Sequence, residues 1–339
     1  MKYRYIGRSG LRVSPICLGT MTFGCKCNRE EAFRIMDKAY AHGINFLDTA
    51  EVYPVPPTTE LVGVTEKIVG TWLSNKPRDS VIIATKVAGA ANGWFVPPIR
   101  HRLTAVDAFH IERAIDGSLK RLGTDYIDLY QVHWPDTVVP VAESLEALDR
   151  LVRIGKVRYI GISNETAYGL TKALYTSYSN GLKRYESIQN NFSLLNPRFL
   201  DELATVCRQE QVSLLPYSPI AGGVLTGKYN LTNDWTGFRY GDYQKNQDAR
   251  MQQQTHRFAN EKCISAVERY MAIADQHGIN LTTMAVAWSM HFDFVASTII
   301  GAVSAEQLDA SLAALNVILD PELLAECNAV QTAIPYPMG

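Results

Sequence analysis

Short apolar runs alternate with amphipathic stretches along most of the chain. The apolar runs fall at residues 15–19, 44–48, 81–85, 127–132, 159–163, 187–189, 212–216 and 297–300. Runs of this length, bounded by turn formers, predict strands buried on both faces. Between them, residues 30–42 (EEAFRIMDKAYAH) place Phe33, Met36, Asp37 and Tyr40 at helical spacing, and Gly43 supplies a stop. Residues 106–121, 141–153 and 260–276 follow the same period. Strands alternating with helices predict βαβ units and a parallel sheet. Eight units with no Gly-, Ser- or Pro-rich linker predict an α/β fold. The expected architecture is a closed (β/α)8 TIM barrel forming a single domain over residues 1–339, with an open doubly wound sheet as the alternative.

Two pieces lie outside this alternation. Residues 3–6, Ser9-Gly10 and 11–13 predict an N-terminal β-hairpin, with Gly10 free to take a positive φ. Residues 228–260 are polar and rich in Gln, Asn and Arg, and predict a long surface loop after the seventh strand.

Composition narrows the function classes. Lys plus Arg number 33 against 34 for Asp plus Glu, so no overall field favours nucleic acid or an anionic membrane. No stretch approaches the ~20 apolar residues that span a bilayer, and MKYRYIGRSG lacks the apolar core of a signal peptide, so a cytoplasmic location is expected. The six cysteines show no repeated spacing, and Cys25 and Cys27 are one residue apart, unlike the usual metal or redox pair.

Candidate chemistry follows from the barrel, whose active sites form at the C-terminal ends of the strands. Asp48 ends NFLD, Lys86 ends VIIATK and His133 ends IDLYQVH, while Tyr53 follows in the loop above Asp48. Taken singly, each suits a helix cap or a solvated strand end. Together they form a proton donor for carbonyl reduction. A phenol with a pKa of about 10 is a weak acid at neutral pH, and a nearby ammonium is expected to lower that pKa while Asp48 orients the ammonium. His133 would hydrogen-bond and polarise the carbonyl oxygen. Hydride must come from a cofactor.

The runs FLDTAEVYPVPPTTELVG, IIATKV, RLGTDYIDLYQVHWPD, KVRYIGISNETAYG and PYSPIAGGVLTGKY, in that order, resemble the aldo-keto reductase family over essentially the whole chain. The loop YPVPP is similar to that of its Tas-like branch, near the potassium-channel β-subunits. The resemblance implies that Asp48, Tyr53, Lys86 and His133 are the catalytic tetrad, with Tyr53 as general acid. It implies that Ser163, Asn164 and Gln189 hold a nicotinamide carboxamide and that Tyr217 stacks on the ring. Ser218, Pro219, Ile220, Leu225, Gly227 and Lys228 would contact the pyrophosphate, and Arg239 would close over the cofactor. Read without the resemblance, PYSPIAGGVLTGKY is an ordinary turn, although Lys228 and the glycines also suit an anion. The chain has no GxGxxG, which disfavours a Rossmann domain.

STIIGAVSAEQLDASL resembles the last cofactor segment, where Gly301, Val303, Ser304, Gln307 and Ser311 would meet the adenosine ribose and its 2′-phosphate. Many relatives place a Lys or Arg here and an Asn where this chain has Ser311. This segment lacks that cation, which leaves NAD(H) open, while the resemblance itself implies NADP(H), the cofactor that the family prefers. Phe23, Trp94, Phe95 and Trp134 are expected to wall an apolar substrate pocket, or to pack among the loops. The expected function is reduction of aldehydes or ketones to alcohols, with a small carbonyl or alcohol compound as the partner and the oligomeric state open between monomer and homo-oligomer. The alternative is a cofactor-sensing regulatory subunit with weak turnover. A metal-dependent hydrolase would need further His or acidic ligands at the strand ends beside His133 and Asp48, so no metal is expected.

Overall fold

Residues 1–90 and 99–338 are described in a computed structural model, the Arg102 side chain excepted. An antiparallel hairpin, β1 (Arg4–Tyr5) and β2 (Arg12–Val13), precedes eight parallel strands: β3 (Ile16–Gly19), β4 (Phe46–Asp48), β5 (Ile82–Val87), β6 (Ile127–Val132), β7 (Val157–Ser163), β8 (Tyr185–Gln189), β9 (Ser213–Leu214) and β10 (Thr298–Ile300). They lie in the order β10-β3-β4-β5-β6-β7-β8-β9. The circle closes where Leu214 N–H donates to Phe294 O at 2.8 Å and Ile299 N–H donates to Pro216 O at 2.8 Å. The fold is therefore the expected (β/α)8 barrel, not the open sheet.

The helices are α1 (Arg29–Ala41), α2 (Val64–Leu73), α3 (Ala108–Leu122), α4 (Val141–Arg153), α5 (Ala167–Asn180), α6 (Leu203–Glu210), α7 (Arg239–Gln244), α8 (Ala249–Phe258), α9 (Glu261–Gln276), α10 (Leu281–Met290), α11 (Leu308–Ala313) and α12 (Pro321–Ala333). Their starts are set locally. Asp107, Asn260 and Asp320 accept hydrogen bonds from backbone N–H groups of the first turns of α3, α9 and α12. No helix among the described residues is long and apolar enough to cross a membrane.

Strand alternation sorts the side chains. Leu47, Ile83, Tyr130, Val132, Ile160 and Ile188 join the shell between strands and helices. Cys17, Phe46, Ile82, Ala84, Leu129, Leu215 and Ile299 form a separate core inside the barrel, joined by Ile6, Leu11 and Val13 of the hairpin segment. The hairpin thus stoppers the N-terminal end. Two residues further along the same inward-facing rows come Asp48, Lys86 and Gln131.

Two expectations need correction. The left-handed glycine of the hairpin turn is Gly7, at φ +52°, and not Gly10. The chain passes so close to Glu186 there that a Cβ on Gly7 would lie 2.5 Å from its carbonyl oxygen. Residues 228–260 are not a structureless loop, because they hold α7 and α8. Their polar composition hides an aromatic cluster: Tyr240 stacks on Phe258 at 5.5 Å and lies 5.8 Å from Tyr229, which meets Trp235 at 5.2 Å.

Asp128, 1% exposed, ties β6 to its neighbours. It accepts from Arg78 at 2.8 Å, Arg158 at 2.5 Å and the Ile83 N–H at 3.0 Å. Asp128→Ala would leave those donors unmatched and is expected to destabilise the protein by about 3 kcal/mol in urea unfolding. A loss under about 1 kcal/mol would show that the cluster is not a structural tie.

Candidate active site

The inward-facing rows converge at the C-terminal mouth. Parallel register sets Asp48 beside Ala84, Lys86 beside Gln131 and Ser163 beside Gln189. Lys86 is fully buried, and an ammonium there needs all its donors matched. Its Nζ donates to Asp48 Oδ2 at 2.5 Å, to Thr49 O at 2.8 Å and to the Tyr53 hydroxyl at 3.5 Å. The second Asp48 oxygen accepts from Gln189 at 2.9 Å and Gln131 at 3.1 Å, and Gln189 also donates to Gln131 Oε1 at 3.2 Å. Gln131 is a site residue that the strand-end reading passed over. The period-2 row Leu129-Gln131-His133 is the signal that could have found it.

Tyr53 sits above this pair, its ring 4.9 Å from Lys86 Nζ and edge-on to His133 at 5.7 Å. Burial raises the pKa of its phenol; Lys86 pulls the other way and Asp48 adds to the rise, leaving a net upward shift. The expected net lowering is therefore not what the geometry gives, because removal from water outweighs the ammonium. Burial alone would lower the pKa of Lys86, but Asp48 and then Tyr53 turn the shift upward, so the ammonium stays charged. His133 is held well below the ordinary imidazole value by burial first and the Lys86 charge second. It is neutral near pH 7, and its Nδ1 has no hydrogen-bond partner among the described residues.

A second group lies beside the tetrad. Asn164, in the left-handed region at φ +57°, donates to His133 O at 2.9 Å and accepts from the Tyr217 hydroxyl at 2.7 Å. Ser163 Oγ donates to Gln189 O at 2.7 Å. Ser163, Asn164, Gln189 and Tyr217 thus form one connected set. Beyond Tyr217 the chain turns through positive φ at Ser218, Ala221, Gly222, Gly223 and Gly227. Pro219 and Leu225 are buried, so contact there would fall to the backbone, whereas Ile220 is half-buried. Lys228, at the end of this turn, and Arg239, opening α7, have no ion pair among the described residues. Burial, and then the nearby Arg239, lower the Lys228 pKa. Two uncompensated cations beside a run of left-handed backbone are suited to an anion such as a pyrophosphate.

The segment after β10 is less hospitable to an extra phosphate. Gly301 and Gln307 are exposed and Ser304 is half-buried. The Gln307 side chain accepts from Val303 N–H at 3.0 Å, and Ser311 is buried. Arg34 of α1 reaches this region but is paired with Glu31 at 2.8 Å and Glu306 at 2.9 Å, and Glu31 already accepts the Ala305 N–H at 2.7 Å.

The pocket residues part company. Phe23 is wholly buried in the outer core, so it presents no surface to the mouth and is corrected to a packing residue. Trp94 and Phe95 lie outside the described residues. Trp134 is half-buried, 4.6 Å from the His133 ring, and donates its indole N–H to Ala90 O at 3.0 Å. Met21, Val55 and Trp134 pack around Tyr53, Ala50 and Ala88.

Residues 15–332 match the profile of the aldo/keto reductase family. The chain is similar to Protein tas of Escherichia coli (strain K12), at 40% identity over 99% of both chains. It is also similar to the oxidoreductase YrpG of Bacillus subtilis (strain 168), at 34% identity over 100% of this chain and 98% of the relative. Versiconal hemiacetal acetate reductase of Aspergillus parasiticus is 31% identical over 95% of this chain and 94% of its own.

The neutral state of His133 has a measurable consequence. The unfolded chain takes up a proton near pH 6.5 and the folded chain only at lower pH, so this group costs stability as the pH falls below about 6.5. Between about pH 7 and pH 5.5, His133→Gln is expected to lose about 1 kcal/mol less unfolding free energy than wild type. An equal loss in both proteins would remove the basis for a neutral His133.

Proposed function

The chain belongs to the aldo/keto reductase family and is an oxidoreductase, and from that premise we propose that it reduces aldehyde or ketone carbonyls to alcohols with NADPH, Tyr53 acting as general acid. The observation that carries this reading is the buried Lys86 ammonium, held by Asp48 and reaching the Tyr53 hydroxyl at 3.5 Å. NADPH supplies hydride to the carbonyl carbon when bound.

The residues of the chain do the rest. Tyr53 stays protonated through neutral pH because burial raises its pKa. As negative charge grows on the carbonyl oxygen, Tyr53 passes its proton to that oxygen, and Lys86 stabilises the phenolate left behind until solvent reprotonates it. His133, neutral, offers a ring N–H to the same oxygen and orients it. Tyr217, Asn164, Ser163 and Gln189 would seat the nicotinamide end. Lys228, Arg239 and the left-handed turn after Tyr217 would hold the phosphates. The choice of NADPH over NADH rests on family membership, since Lys228 and Arg239 suit the pyrophosphate common to both and Arg34, beside Ala305, is already paired. The apolar surroundings of Tyr53, formed by Met21, Val55 and Trp134, suit an apolar carbonyl compound. A relative named as a reductase accords with the direction.

Tyr53→Phe is expected to lower kcat at least ~100-fold in a NADPH-absorbance assay while the Kd for NADPH changes less than about threefold. Retained turnover would remove Tyr53 from its role, and wild-type protein that binds NADPH tightly yet oxidises none of it over a broad panel of aldehydes and ketones would point to a regulatory subunit. Lys228→Met is expected to weaken NADPH binding about tenfold, with the loss shrinking at high salt. Titrating NADH in parallel measures the preference at the 2′-phosphate, and unchanged binding in the variant would exclude Lys228 from the phosphate site.

A further inference from the structure

A buried ion pair outside the tetrad holds the loop that carries Tyr53. Glu51 lies between Asp48 and Tyr53 in the chain and is only 5% exposed. Its N–H donates to Lys86 O at 3.3 Å, and its Oε1 accepts from the Ala88 N–H at 2.6 Å. One residue therefore grips β5 at Lys86 and again two residues beyond. Arg100 closes on the same carboxylate with both arms of its guanidinium, Nη2 to Oε1 at 2.7 Å and Nη1 to Oε2 at 2.9 Å. Ile99, the neighbour of Arg100, is buried against Ala50, Val52, Ala88 and Tyr53 itself.

The backbone at this point is strained. Arg100 and His101 both sit in the left-handed region, at φ +46° and +52°, where side chains other than glycine are disfavoured. Surrounding contacts must hold such a conformation, and the fork onto Glu51 is the strongest that Arg100 makes among the described residues. Burial would lower the Arg100 pKa, but the Glu51 carboxylate reverses the shift, so the pair remains ionic.

The geometry leaves Tyr53 little margin. Its hydroxyl is 3.5 Å from Lys86 Nζ, at the outer limit of a hydrogen bond. A loop displacement of about 1 Å would end the contact, and errors of that size at a reacting group can cost about 100-fold in rate. We propose that Arg100 and Glu51 are positioning residues: a latch that holds the Tyr53 loop against β5 and so sets the distance between the Tyr53 hydroxyl and the Lys86 ammonium. Neither residue touches the reacting atoms. The catalytic half of this proposal rests on the reductase reading.

The test uses the full chain, NADPH and a carbonyl compound that the wild type reduces. Arg100→Met is expected to lower kcat by about 10–100-fold, leave the Kd for NADPH within about twofold, and enlarge the solvent deuterium isotope effect on kcat as proton transfer becomes limiting. Arg100→Lys, which keeps the charge and loses the fork, is expected to recover part of the rate, and it supplies the same readouts if the Met variant does not fold. A merely structural role would reduce the active fraction without moving the isotope effect. Wild-type kcat, or a lowered kcat with an unchanged isotope effect, overturns the proposal. Hydrogen exchange over residues 49–63 needs no turnover, and faster exchange in the variant is expected. If the wild type proves inactive with NADPH the reductase reading falls, and the exchange result alone then decides the latch: unchanged exchange overturns it, faster exchange upholds it.

Discussion

A fully buried ammonium, Lys86, is the constraint on which the mouth of the barrel is built. In a medium of low polarity that charge would be untenable without a complete set of acceptors. All three of its donors are used, on Asp48, Thr49 and Tyr53. The partner carboxylate is completed in turn by Gln131 and Gln189, so strands β4, β5, β6 and β8 meet in one hydrogen-bonded unit. Removing any member would leave a charge or a polar group without its match, which is why the site proposed for proton chemistry is also a structural knot.

The barrel surrounding this knot has two unlike ends. The N-terminal end is filled by Ile6, Leu11 and Val13 packing on Phe46, Ile82 and Leu129, so it is dry. The C-terminal end carries the polar rows. A charge placed between a dry floor and an open mouth keeps much of its field, and that field acts where the mouth opens. It holds His133 neutral together with burial, and it opposes, without reversing, the rise that burial imposes on Tyr53. Farther along the rim, Lys228 feels the charge of Arg239 near a turn of left-handed residues, and neither is paired with a carboxylate among the described residues. Like charges left unmatched in a folded protein have an electrostatic cost that an anionic ligand would relieve.

Much of this was legible along the chain. Strand alternation with period two and helices with period 3.6 are local consequences of backbone geometry, so the eight strands and the helices at 30–42, 106–121, 141–153 and 260–276 appear within a few residues of their observed bounds. Asp48 and His133 stood out because parallel strands deliver their C-terminal ends to one rim. Residues 228–260 misled because helix-forming periodicity is weak where stability comes from aromatic contacts among Tyr229, Tyr240 and Phe258, which are distant in the sequence.

What the sequence by itself determined is the alternation of strands and helices and most of the groups gathered at the mouth, since both follow from local periodicity and residue type, while closure of the barrel was decided by hydrogen bonds between its ends. Only the tertiary structure decided how those groups behave. The direction of the Tyr53 shift depends on burial weighed against one ammonium, a balance that exists only once the walls are in place. Phe23 turned from pocket to core because burial is a property of neighbours, not of residue type. The Arg100 fork on Glu51 joins residues 49 positions apart through a strained backbone, and no local pattern announces such a contact.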